Sequence, residues 1–131
     1  MKHNILLTIT NLLLILLITL HFTDDTLRAR VGTVEAGGVT LVMMPILVIW
    51  LVGTLLLGER RSGHVIMLIL SIAALGLPVL HVMAPAGFFH GTLARSSADY
   101  LFVWTLYALS VAGMFSIILS ARGLWSLRSG H

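Results

Sequence analysis

Residues 5–22 read Ile5-Leu6-Leu7-Thr8-Ile9-Thr10-Asn11-Leu12-Leu13-Leu14-Ile15-Leu16-Leu17-Ile18-Thr19-Leu20-His21-Phe22, with no aspartate, glutamate, lysine or arginine among them. An α-helix rises 1.5 Å per residue, so about 20 such residues cross the roughly 30 Å hydrocarbon core of a bilayer. The pattern recurs at 39–57, 65–83 and 100–120, and none of these runs contains a charged residue. Composition agrees: of 131 residues, 58% are hydrophobic and 10% charged, and the mean hydropathy is +1.03. A soluble domain with a polar surface does not look like this. The sequence therefore predicts an all-α, polytopic integral membrane protein, a single domain over 1–131 forming an antiparallel bundle of four transmembrane helices. Its first expected partner is the lipid bilayer.

Little chain lies outside the four runs, which leaves no room for a separate soluble catalytic or DNA-binding domain. The pI of 10.2 reflects a formal charge of only +3 with its basic residues scattered among loops, so juxtamembrane charge is expected rather than nucleic-acid binding. With no cysteine, disulfides, thiolate metal sites and thiol catalysis are excluded. A basic residue before an apolar run also describes a secretory leader. However, His21-Phe22-Thr23-Asp24-Asp25 offers no pair of small residues for cleavage, so the first helix is expected to stay in the bundle.

Basic residues assign the sides. Lys2, Arg60, Arg61, Arg122 and Arg128 share one side of a four-span chain, whereas Arg28, Arg30 and Arg95 fall on the other. That bias predicts a plasma-membrane protein with both termini cytoplasmic. Asp24, Asp25, Glu35 and Asp99 then lie outside and only Glu59 inside.

The first connection is expected to continue the first helix, since Asp24 and Arg28 are four apart and can pair, until Gly32, Gly37 and Gly38 break it. Residues 58–63 read as a short, glycine-punctuated hairpin. The third connection places Phe88-Phe89-His90 among Pro85, Gly87 and Gly91 and reads as a loop in the headgroup region. Ser96-x-x-Asp99 resembles a capping box for the fourth helix. Pro45 and Pro78 interrupt two spans and are expected to kink them. Ala108, Ala112, Ser116 and Ser120 form a stripe of small residues spaced by four, suited to close helix contact with another helix, a second copy or a membrane-protein partner. Asn4, Thr8 and Asn11 form a polar stripe whose side chains need partners in a neighbouring helix.

Candidate chemistry gathers on the outer side. His21, Asp24, Asp25, His81 and His90 combine imidazole and carboxylate ligands that suit a transition metal such as Zn, Cu(II) or non-haem Fe. His21 and His81 end the two outward-running helices at one depth, so they could also serve as haem ligands. Each has an ordinary alternative: a histidine ring at the interface reaching water, Asp24 paired with Arg28, Asp99 capping a helix. His64 is expected to bond locally beside Glu59 and Arg60. The methionines read as packing, with Met83 nearest a histidine. His21-x-x-x-Asp25 is similar to the His-x-x-x-acid arrangement of sterol-isomerase membrane proteins of the emopamil-binding type. That likeness covers five residues, and the mid-membrane acids and aromatic cage of that family are absent. Size and span number resemble small DoxX-type proteins, but no motif supports either assignment. The chain has no identifiable nucleophile or phosphate-binding motif, so the first functional expectation is a non-enzymatic bundle, a small subunit or accessory protein. The alternative is a metal- or haem-binding protein handling electrons or protons.

Overall fold

The computed structural model describes residues 2–28, 34–83 and 97–129, with side chains for 4–24, 26, 41–79 and 100–129. They form four helices: α1 (Lys2–Arg28), α2 (Val34–Leu55), α3 (Arg61–Met83) and α4 (Ser97–Ser129). Three carry segments long and apolar enough to cross a membrane, at Asn4–Asp24, Arg61–Val79 and Tyr100–Ser129. The described apolar part of α2, Leu41–Leu55, is shorter.

The helices pack in a ring, α1 on α2, α2 on α3, α3 on α4 and α4 on α1, with the α3–α4 seam the most extensive. On α3 and α4, Ser71 meets Ser116 while His64 meets Gly123, so these two helices run antiparallel. The residues facing inward follow one rule. On α1 the buried positions include Leu7, Asn11, Leu14, Ile18 and His21, alternating steps of four and three. Alternating steps are also found on α3 with His64, Met67, Ser71 and Ala74, and on α4 with Thr105, Leu109, Ala112, Ser116 and Leu119. Such 3.5-residue spacing keeps one face of a helix turned to its neighbours along its length.

Burial is inverted relative to a water-soluble protein. The buried residues divide evenly between apolar side chains and polar ones: Thr10, Asn11, His21, Thr54, His64, Ser71, Thr105, Ser116 and Ser120. The exposed surface instead carries Ile9, Leu16, Leu41, Leu56, Val111, Ile118 and many other large hydrophobics, Leu41 at 78% and Val111 at 70%.

Several expectations about boundaries are corrected. Gly37 and Gly38 lie inside α2 and do not break the chain. A helical glycine costs about 1 kcal/mol relative to alanine, which a helix of 22 residues absorbs. α3 starts at Arg61, inside the expected 58–63 hairpin, and the connection contracts to 56–60, with the Arg60 amide donating to Leu57 O. α4 continues past the apolar run to Ser129, since charge ends a hydrophobic run without ending a helix, and Arg128 in the last turn complements the helix dipole. α1 does continue to Arg28 as expected. Pro45 and Pro78 lie within unbroken helices. The 84–96 loop with Phe88, Phe89 and His90, the Ser96 cap, and the side chains of Arg28 and Asp99 lie outside the described residues.

Glycine sets how closely the helices approach. A Cβ on Gly63 would run into the carbonyl of Leu57 and come within 2.9 Å of Gly53 O, while one on Gly53 would lie 2.7 Å from Ile66 Cγ2. The α2–α3 hairpin therefore closes tightly because both positions lack a side chain.

Candidate functional site

Polar groups line the interior in three tiers. In the central tier, the Trp50 indole Nε1 donates to Asn11 Oδ1 at 2.8 Å, joining α2 to α1. The Asn11 Nδ2 donates to Leu7 O at 2.9 Å, and Thr54 Oγ1 donates to Trp50 O at 2.8 Å. Both members of the inter-helix pair are buried, Asn11 at 0% and Trp50 at 2% exposure. Asn4 and Thr8, the other members of the expected polar stripe, are half-buried. Across the bundle, Ser71 Oγ donates to Ser116 Oγ at 2.7 Å and ties α3 to α4. Gly113 packs on the same stretch of α3, where a Cβ would sit 3.6 Å from Ser71 O, an ordinary contact distance.

The small-residue stripe lies within this seam: Ala112, Ser116 and Ser120 are buried and Ala108 is half-buried. A spacing of four advances 400° per step, so the stripe drifts round α4 by about 120° between Ala108 and Ser120. The positions at 105, 109, 112, 116, 119 and 123 stay on the inner face.

The tier at the Arg60–Arg61 end is built on His64. Its Nδ1 lies 3.1 Å from Arg60 O, and a carbonyl only accepts, so Nδ1 is the donor of this bond. The local bond expected for this histidine is present. The imidazole is also buried against α4, pressed so closely on Gly123 that a Cβ there would overlap it. One turn along α4, Ser120 Oγ is fully buried without a hydrogen-bond partner among the described residues.

The opposite tier holds His21. Its side chain is 0% exposed, so it does not sit at the surface as an interfacial ring reaching water. The ring faces Phe102 of α4 at a centroid distance of 5.0 Å and an interplanar angle of 32°, and meets Phe22 edge-on at 6.0 Å. The cause is angular: His21 falls on the same inward stripe as Leu7, Asn11, Leu14 and Ile18. Asp24 is half-buried on the next turn. His81 lies in α3, and its side chain, that of Asp25, and the whole of His90 lie outside the described residues. Among the described residues no three histidines or acids form a group able to hold a metal.

The sequence reading missed the Asn11–Trp50 bond and the seating of His64 on Gly123. Asn11 was expected to need a partner in a neighbouring helix, and the alternating steps of four and three on α1 and α3 put Asn11 and His64 on inward faces, while the groups they meet are set by how the helices pack. Comparison with protein-family models, with curated proteins and with solved structures finds no match to this chain.

Proposed function

We propose that the chain is a four-span membrane bundle with both termini cytoplasmic, acting as a small subunit or accessory protein through its lateral surfaces. The inverted burial carries this reading. Large hydrophobic residues dominate the exposed surface, and the buried positions are as often polar as apolar, which suits a chain solvated by lipid. Interior polar groups engage one another between helices, Asn11 with Trp50 and Ser71 with Ser116, which supports a structural use for the core.

Aromatic placement supports the depth. Trp104 is 68% and Trp125 78% exposed near opposite ends of α4, and their separation of 21 positions corresponds to about 32 Å of helix, close to a hydrocarbon core. Exposed Tyr100 lies just beyond Trp104, and Arg128 just beyond Trp125, where interfacial anchors belong. In this reading α2 is the remaining span, its 22 residues giving about 33 Å. Single cysteines at Ser62 and Thr92 test the orientation. An impermeant thiol reagent applied from outside is expected to label the Thr92 site and spare Ser62, and the reverse pattern overturns the topology.

A second reading, metal or haem ligation by His21 and His81, is favoured by the complete burial of His21 between α1 and α4. Metal analysis and an absorption spectrum of the purified protein, repeated on His21→Ala and His81→Ala, separate the two. Stoichiometric metal or a haem band lost in both variants selects the second reading. A colourless, metal-free preparation that does not respond to added Zn, Cu or haem selects the first.

A further inference from the structure

The Arg60–Arg61 end of the bundle concentrates positive charge in a thin layer. His64 rests on Gly123, which sets the start of α3 against the last turns of α4. Measured along the helices from that contact, Arg122 lies within about 2 Å, Arg61 at about 5 Å, Arg60 at about 6 Å and Arg128 at about 8 Å. All four side chains are exposed, and among the described residues of this end only Glu59 opposes them. The layer begins where the apolar run of α4 stops, and its thickness is that of a headgroup region. Two features add to the charge. α3 begins here, and the first-turn amides of a helix have no acceptor within it while the dipole favours an anion. Trp125, 78% exposed, forms an open concavity with Arg128 and Ser129, placing an aromatic surface for glycerol and upper acyl carbons beside a guanidinium.

We propose that this end binds the phosphate headgroups of anionic phospholipids, which Arg60, Arg61, Arg122 and Arg128 engage at one depth around the bundle, with Trp125 beside Arg128 against a glycerol. The proposal rests on the membrane topology above, which turns this end to the cytoplasmic leaflet. Guanidinium groups suit the task because their planar donors engage phosphate oxygens in pairs. Each arginine at an anionic surface accounts for about fivefold in binding.

Native mass spectrometry of the detergent-solubilised chain, given equal phosphatidylglycerol and phosphatidylcholine of one chain length, tests this. Phosphatidylglycerol adducts are expected to dominate by at least about tenfold. Replacing all four arginines with glutamine is expected to abolish the preference, and replacing them with lysine to retain most of it. Should the glutamine variant not fold, Arg122→Gln and Arg128→Gln singly are each expected to weaken the preference about fivefold. Equal adducts of the two lipids on the wild-type chain overturn the proposal, as does equal loss in the lysine variant. Displacement of phosphatidylglycerol by millimolar glycerol phosphate would make the ligand a soluble phosphate and overturn it too. Release of the wild-type chain from membranes by alkaline carbonate would overturn the topology and the proposal together. Retention in membranes with no lipid preference overturns the proposal alone.

Discussion

Replacing Asn11 by leucine and Trp50 by phenylalanine, singly and together, probes the bond that links α1 to α2. In the wild-type chain Asn11 Oδ1 accepts from Trp50 Nε1 at 2.8 Å, with both side chains out of contact with solvent. Asn11→Leu removes that bond and leaves the indole N–H buried without an acceptor, a loss of about 1–3 kcal/mol, reduced by whatever the leucine gains in packing. Trp50→Phe leaves Asn11 Oδ1 short of its donor and also removes aromatic volume from the core. The double variant leaves neither orphan, so it is expected to cost less than the sum of the two. Hydrogen bonds between membrane helices average about 0.6 kcal/mol and reach about 1.7 kcal/mol in such cycles, and burial of both partners places this one toward the upper end. Stability is measured by SDS titration in mixed micelles. The reporter is the thiol reactivity of a cysteine at Ala74, buried in the folded bundle of a chain with no cysteine of its own. Additivity within about 0.3 kcal/mol would mean that the two side chains share no stabilising bond, because residues that share one must couple.

Gly123→Ala drives a methyl group into the His64 ring, so it is expected to cost about 1–3 kcal/mol in the same titration, with His64→Ala in the same chain recovering part of the loss. Ser71→Ala and Ser116→Ala are each expected to lose up to about 1.7 kcal/mol with strong non-additivity. By contrast, Ser120→Ala removes a buried hydroxyl with no described partner and is expected to be neutral or stabilising. Ala112→Leu overfills the α3–α4 side of the core, so it is expected to destabilise the fold by about 1–3 kcal/mol. Any self-association seen on native detergent gels is expected to be unchanged, since the position is 8% exposed.

The four helices were legible because hydrocarbon thickness imposes a length and forbids charge, and runs such as 5–22 satisfy both conditions. Helix ends were less so. Arg61, Arg122 and Arg128 interrupt a hydrophobic run, yet their backbones remain helical, as intrahelical bonding is indifferent to side-chain polarity at the membrane surface. The inward faces were harder to find because almost every position is apolar. Leu14 points in and Leu13 points out, and nothing in the residue type distinguishes them. In lipid the polar and small residues mark the inside, so Asn11, His21, Ser71 and Ser116 give the phase of their helices once read that way. His21 illustrates the consequence: its place near the end of a run suggested water, whereas its angle on α1 set it against Phe102. Which helix an inward group meets depends on tilt and neighbour order, so the pairing of Asn11 with Trp50 is a property of the packed bundle and not of either helix alone.

In the proposed topology, lipid surrounds the apolar faces while the polar stripe lies inside. This arrangement is tested most directly by a nitroxide scan of residues 105–118 on α4 in reconstituted bilayers, comparing collision with dissolved oxygen and with a water-soluble nickel chelate. Oxygen accessibility is expected to peak at Tyr107, Val111, Met114 and Ile118 and to fall at Thr105, Leu109, Ala112 and Ser116, with the chelate excluded throughout. A flat or phase-reversed oxygen profile, or strong chelate collision at the exposed positions, would contradict the account.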